Sequence, residues 1–416
     1  MTHPTGYAGL FRVFGRIGLL SFGGPAAQIA LMHTELVEKR DWLSEETFLR
    51  ALSLCMLLPG PEAMQLATYA GWKLRGTAGG LIAGLLFVLP GALVILLLAL
   101  GYAVWGGVPL VQAAFTGIKA AVIIIVLQAL LKVSRRALAG PGPRVLALAA
   151  FVALFVLGLP FPVVILAAGL WGAFMMSQPD EEPPPALPVR PDSLRIIALW
   201  GGLWALPLVV LALMDQTFLL QIGLFFSQLA VLTFGGAYAV LAWMTQTVVA
   251  DYGWITTAQM IDALGLAETT PGPLILVTEF VALLAGYLEG GPLLALAAGA
   301  VALWVTFTPC FLWIFLAGPY LDVISARPRI AAALRAITAA VVGVILNLAV
   351  WFAIHVLFDK TTSVSWLAAP LPEPLSLDIP ALGLTCLAGI LMLWLGLGMV
   401  RSLLIMAAAG LLAGMI

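Results

Sequence analysis

Ser21-Phe22-Gly23-Gly24-Pro25 and Thr233-Phe234-Gly235-Gly236-Ala237 are two versions of one pentapeptide, set 212 residues apart in a chain of 416. The same offset carries Trp42 onto Trp254 and Leu43-Ser44 onto Ile255-Thr256. It also carries Leu54 onto Leu266, and Pro59-Gly60-Pro61 onto Pro271-Gly272-Pro273. Farther on, at an offset of 219, Pro90 meets Pro309 and Ile118-Lys119-Ala120-Ala121-Val122 meets Ile337-Thr338-Ala339-Ala340-Val341, with Gln128 against Asn347. Apolar stretches resemble one another by chance, but Gly-Gly, Trp and Pro-Gly-Pro in one fixed order do not. The reading is an internal duplication. A polar stretch, residues 178–193, holds Asp180-Glu181-Glu182 followed by Pro183-Pro184-Pro185 and reads as a stiffened cytoplasmic linker. It separates a first repeat (1–177) from an extra helix plus a second repeat (194–416).

Composition says where the two halves reside. Hydrophobic residues make up 62% of the chain and charged residues 9%, with a mean hydropathy of +1.11. A soluble domain is about 45–50% apolar and about 25% charged. There is too little charge here to coat a soluble protein, which excludes a cytosolic enzyme, a disordered chain and a nucleic-acid binder. Runs such as 81–103, 108–131 and 194–214 are long enough to cross a bilayer. The expected fold is an all-α polytopic membrane protein with about 13 apolar segments. Cys55, Cys310 and Cys386 all lie in apolar stretches and read as small buried hydrophobes. His3, His33 and His355 have no metal-ligand spacing, and no phosphate loop, dinucleotide fingerprint or nucleophile elbow occurs. No cofactor, metal or enzymatic centre is expected.

Seven segments separate the first copy from its repeat. Because seven is odd, the second copy should be inverted, an arrangement common in secondary transporters with a midplane site. Charge supports an N-terminus inside. With every segment a full span, Lys39, Arg40, Arg50 and Lys360 fall outside and Lys119 within the membrane, leaving the remaining Lys and Arg on the cytoplasmic side. If segments 8–33 and 47–74 and their repeats are instead re-entrant hairpins, only Lys360 stays outside. The matching loops of the second half carry Asp215, Asp251 and Glu289 and no base. Re-entrant hairpins and broken full spans both remain open at this point. The charged stretch Glu35–Arg50, with Trp42, reads as a surface element, as does Asp251–Asp262 with Trp254.

The breaks themselves suggest chemistry. Gly23-Gly24-Pro25 interrupts one helix, and proline suits the first turn of the next, where no amide hydrogen is needed. Pro59-Gly60-Pro61 does the same. The repeat sets are Thr233, Phe234, Gly235 and Gly236, and Thr270, Pro271, Gly272 and Pro273. Irregular backbone at membrane depth is tolerated only where it is buried or lines a cavity. A helix N-terminus there offers amide donors and partial positive charge to an anion. Ser21 and Thr233 add a hydroxyl at equivalent places, and Phe22 completes the first motif. Packing kinks would explain a lone motif; two motifs, each duplicated, point to an anion site.

Lys119 lies deep in an apolar run, a costly and usually functional place for a charge. It would balance a divalent anion, or snorkel to the interface. Glu62, Glu268 and Glu279 lie near the breaks and are candidates to carry a proton. Glu62 equally suits a plain helix start. Gln28, Gln65, Gln128 and Asn347 would hydrogen-bond an oxyanion or bridge helices.

Taken together, Phe22-Gly23-Gly24-Pro25, Trp42, Leu58-Pro59-Gly60-Pro61 and their second-half counterparts resemble the chromate ion transporter family in its long two-domain form. The resemblance covers essentially the whole chain, departing at Ala237, which stands where the first half has Pro25. It implies a bacterial or archaeal inner-membrane carrier that exports chromate, driven by the proton motive force. Chromate is a tetrahedral dianion like sulfate, so a sulfate or other oxyanion carrier is an alternative, as is an anion channel of the same architecture. Membrane lipid and a homodimer mate are the further partners envisaged, and no nucleic acid is. A membrane enzyme on lipid-linked substrates would need an interfacial cluster of acids, His or metal ligands, which the sequence lacks.

Overall fold

The computed structural model describes residues 6–175, 192–234, 236–321, 327–362, 364 and 367–414. It is helical almost throughout. The helices are α1 (Tyr7–Leu20), α2 (Gly24–His33), α3 (Glu45–Leu57), α4 (Glu62–Trp105), α5 (Pro109–Ala137), α6 (Pro141–Phe155) and α7 (Phe161–Met175). Beyond the linker come α8 (Asp192–Leu213), α9 (Thr217–Leu232), α10 (Ala237–Gln246), α11 (Thr257–Glu268) and α12 (Val277–Ala317). The chain ends with α13 (Pro328–Leu357), α14 (Ile379–Gly389) and α15 (Met399–Ala413). The exception is a two-stranded ribbon pairing Thr361–Thr362 with Leu371–Pro372. Residues 176–191, which hold most of the linker, lie outside the described residues.

Five apolar helical stretches are long enough to cross a membrane: Glu62–Trp105, Pro109–Ala137, Asp192–Leu213, Leu274–Tyr320 and Pro328–Leu357. Leucines point outward from several of them: Leu97 is 72% exposed, Leu213 80% and Leu293 81%. Water would not support that distribution, and lipid tails do. The chain is a multi-pass membrane protein.

Local chemistry explains the boundaries. Ser44 caps α3, its hydroxyl accepting from the Thr47 amide at 3.2 Å. The equivalent Thr256 caps α11 in a reciprocal box: Gln259 N–H donates to its hydroxyl at 3.3 Å and its own N–H donates to Gln259 Oε1 at 2.8 Å. Ahead of both caps the chain makes the same contact, Trp42 N–H to Leu36 carbonyl (2.8 Å) and Trp254 N–H to Val248 carbonyl (2.9 Å). α4 bends sharply at Arg75-Gly76, where Gly76 has φ 64°, and α12 at Gly290-Gly291, where Gly291 has φ 80°. Glycine tolerates that left-handed backbone without a Cβ penalty. The two arms of α4 then pack so closely that a Cβ on Gly71 would sit 2.3 Å from the Gly79 carbonyl oxygen. Small residues allow such backbone approach within a membrane.

The helices sort into two compact units, each built from both halves of the sequence. The first takes Met1–Leu100, Pro179–Ala237 and Thr270–Pro328; the second takes Gly101–Gln178, Tyr238–Thr269 and Arg329–Ile416. Within the first unit, α12 packs on α8 and α9. Within the second, α5 packs on α11, α14 and α15. Ala120, Ala121, Ile124 and Ile125 of α5 there meet Leu384, Ala388, Leu403 and Met406. Cys55 and Cys310 are buried as expected, whereas Cys386 is exposed because it lies on the face of α14 turned away from α5.

Candidate functional site

All four helix breaks belong to the first unit. α1 ends at Leu20, and α2 begins at Gly24 with Gly23 (φ 86°) before it and Pro25 in its first turn. Gly24 is likewise left-handed at φ 78°. The second copy restarts at Ala237 after Gly236 (φ 103°), so the missing proline does not prevent a new helix. Gly235 lies outside the described residues. α3 ends before Leu58, and α4 starts directly after Pro61. After Pro273 a short 3-10 turn, Leu274–Leu276, leads into α12.

The breaks are tied in pairs across the repeat. Gly60 N–H donates to the Thr233 carbonyl at 2.8 Å, and Gly272 N–H donates to the Ser21 carbonyl at 2.9 Å. Each Pro-Gly-Pro thus caps the end of the helix that precedes the other half's Gly-Gly. The hydroxyls behave alike as well: Ser21 Oγ donates to the Ile17 carbonyl and Thr233 Oγ1 to the Leu229 carbonyl, both at 2.6 Å. Phe22 and Phe234 N–H close on the Leu20 and Leu232 carbonyls. Phe22 is 41% exposed, whereas Thr270 is buried with Pro271, Gly272 and Pro273.

The glutamines serve the breaks. Buried Gln28 donates from Nε2 to the carbonyls of Gly272 (2.6 Å) and Ser21 (3.2 Å), which engages both of its amide hydrogens. Gln65 donates to the Pro59 carbonyl at 2.7 Å. In the structure both glutamines brace backbone carbonyls at the breaks. The Gly60 and Gly272 amides are likewise engaged with carbonyls. Glu62 opens α4, half-buried. Glu279, on α12, is 3% exposed, and its Oε2 has no hydrogen-bond partner among the described residues.

Lys119 and Glu268 belong to the second unit. Lys119 Nζ lies 3.5 Å from Asp262 Oδ1. Tyr102, near the end of α4, donates its hydroxyl to Asp262 Oδ2 at 2.6 Å. Asp262 is fully buried, so the stretch Asp251–Asp262 is a surface element only at its start. α11 enters from its Thr256 cap and carries Asp262 inward against α5. Lys119 is therefore paired with an acid that its own segment does not reveal. Glu268 accepts from the Tyr238 hydroxyl at 2.6 Å. Gln128 donates to the Met392 carbonyl at 3.0 Å, and Asn347 is buried on α13.

Sequence reasoning missed Asp262, Tyr102 and Tyr238. Nothing in the repeat pointed to Tyr102 or Tyr238. An acid in an apolar helix was a usable signal for Asp262, hidden by its place at the edge of a charged stretch.

A family model for the chromate transporter matches residues 8–173 and 220–415. A probable chromate transport protein of Synechococcus elongatus is 32% identical over 383 residues, 90% of this chain and 93% of that protein. The chromate transport protein of Cupriavidus metallidurans is 32% identical over 360 residues, 85% of this chain and 84% of that one. The chromate transport protein of Pseudomonas aeruginosa is 34% identical over 349 residues, 82% and 80%. No solved structure matches the chain.

Proposed function

Because the chain belongs to the chromate transporter family, we propose that it is a secondary active transporter of a tetrahedral oxyanion. Chromate is the substrate, carried out of the cell across the inner membrane at the expense of the proton motive force, by a chain whose N-terminus is cytoplasmic. The observation that carries this reading is the reciprocal pair of hydrogen bonds at the breaks, Gly60 to Thr233 and Gly272 to Ser21. Equivalent residues exchange equivalent bonds, as an inverted tandem repeat would make them do. The residues of all four breaks are thereby tied together in the first unit of a membrane protein. Helix N-termini within a membrane are suited to an oxyanion.

Helix lengths favour the hairpin version of the breaks. α3 and the 62–74 arm of α4 are each on the order of 20 Å long at 1.5 Å per residue. The hydrocarbon core is about 30 Å thick. Neither crosses alone, so the two together enter and leave on one side around Pro59-Gly60-Pro61. Glu62, Glu268 and Glu279 are the carboxyls at or near the breaks, the candidates for proton exchange that the sequence itself offers. Glu279, with a buried oxygen lacking a partner, is the least committed of the three to holding structure.

Radiolabelled chromate flux into everted vesicles tests the reading, with and without an imposed proton gradient and with competing sulfate. Saturable, gradient-dependent uptake that requires the protein supports it. Gradient-independent, non-saturating flux would make the chain a channel. Uptake of sulfate with no response to chromate would move the substrate to that alternative.

A further inference from the structure

We infer that Asp262, held between Lys119 and Tyr102, is the group that carries the transported proton, and that the oxyanion and Asp262 compete for Lys119. This rests on the oxyanion carrier reading above. Three observations lead to it. Asp262 is fully buried on α11. Its Oδ2 is satisfied by Tyr102 at 2.6 Å, while Oδ1 has no hydrogen-bond partner among the described residues and faces Lys119 Nζ at 3.5 Å. Lys119 keeps 19% of its side chain accessible, whereas the Asp262 side chain has none.

A buried pair serving stability alone should be closed, with each lone pair and proton matched. This one is closed on the tyrosine side and open on the lysine side. Lys119 and Tyr102 are the ionisable groups that reach Asp262 from α5 and α4. Glu268, farther along α11, is bonded to Tyr238 instead.

The chemistry then has a definite sign. While Asp262 is ionised it neutralises Lys119, and a dianion has no net positive charge to bind. When Asp262, opened to water as the carrier changes state, takes up a proton, it becomes a neutral acid still bonded to Tyr102, and Lys119 keeps its charge. That ammonium is now uncompensated in a low-dielectric setting and attracts the oxyanion. Release of the anion on the far side restores the pair, and Asp262 returns its proton to water there. Proton and dianion bind together, so one negative charge crosses per cycle. Outward transport then draws on the membrane-potential component of the proton motive force, and the pH component opposes it.

The test uses the purified full chain in liposomes containing a pH dye, at a pH where chromate is the dianion, with radiolabelled chromate uptake followed in parallel. Wild-type uptake should acidify the lumen. Asp262→Asn should move chromate without acidification and lose the wild-type dependence of uptake on pH. Lys119→Met should raise the chromate concentration for half-maximal uptake at least tenfold. The charge-balanced Lys119→Met/Asp262→Asn double variant covers the case in which a single variant fails to fold; monodispersity on size exclusion is the control. A folded double variant without coupled uptake supports the inference. One that regains acidifying uptake shows a structural ion pair and overturns it. Acidification by Asp262→Asn, or alkalinisation by wild type, also overturns it. Wild-type protein that moves no chromate removes the carrier reading first, and the inference with it.

Discussion

The Gly60 amide donates to the Thr233 carbonyl at 2.8 Å, across a gap of more than a third of the chain. Its counterpart is Gly272 to Ser21 at 2.9 Å. The end of each half's first broken helix is thus completed by the other half. Gly60 sits at φ 121°, and a Cβ there would lie 2.8 Å from Gln65 Nε2 and 2.9 Å from Cys310 Sγ. Gly60→Ala combines backbone strain with a clash, and should cost about 2–4 kcal/mol. Gly24→Ala is the comparison: φ is 78°, yet nothing lies within 4 Å of the added carbon. Strain alone predicts about 1–2 kcal/mol. Thermal unfolding in detergent should rank wild type above Gly24→Ala above Gly60→Ala; equal midpoints for the two variants would contradict the contact.

Gln28 makes a second prediction at the same place. Its Nε2 holds the Ser21 and Gly272 carbonyls together. Gln28→Leu fills similar space and leaves the Gly272 carbonyl without this donor. Loss of a buried partner costs about 1–3 kcal/mol. Chromate uptake should fall together with the unfolding midpoint, because the glutamine positions backbone. Lost uptake at an unchanged midpoint would instead assign Gln28 to the anion directly.

Much of the first unit was legible in the sequence because its determinants are Gly and Pro, whose backbone demands show in the letters. Gly23-Gly24-Pro25 and Pro59-Gly60-Pro61 announce helix ends, and the structure puts ends there. The partner of each break was not legible, because Gly60 to Thr233 is a tertiary bond that no local preference encodes. Lys119 stood out for the same reason that Asp262 did not. A base alone in an apolar run is conspicuous, while an acid some two turns below a polar cap reads as part of the cap. Gln28 illustrates a third limit: the sequence left an oxyanion ligand and a helix bridge both open, and no local preference could name the two carbonyls that its amide holds.

Helix packing in the second unit gives a contrast between two glycines. A Cβ on Gly117 of α5 would fall 1.8 Å from the Met406 carbonyl oxygen, on the face that meets α15. Gly117→Ala must push the helices apart and should cost at least about 2 kcal/mol. Gly201, in the middle of α8, has nothing within 4 Å of such a carbon. Gly201→Ala should be neutral or stabilising by about 0.5–1 kcal/mol, since alanine is the better helix former. Midpoints of the two variants moving in the same direction would argue against this packing of α5 on α15.

Glu35 supplies a pH prediction outside the spans. Its side chain is 1% exposed, accepting from Lys39 Nζ at 2.8 Å and paired with Arg40, whose guanidinium lies over the Trp42 ring. Burial pushes the carboxyl up, but Lys39 and Arg40 outweigh it and hold it below its usual 4.5. A carboxyl depressed in the folded state lends stability that is complete above its unfolded value and lost as pH falls through the folded one. The unfolding midpoint of Glu35→Gln should therefore lie below wild type by a constant margin at neutral pH. That margin should narrow only below about pH 4.5, as wild-type Glu35 takes up its own proton. A margin that shrinks as pH rises from neutrality would mean that the ion pairs with Lys39 and Arg40 do not hold this turn in place.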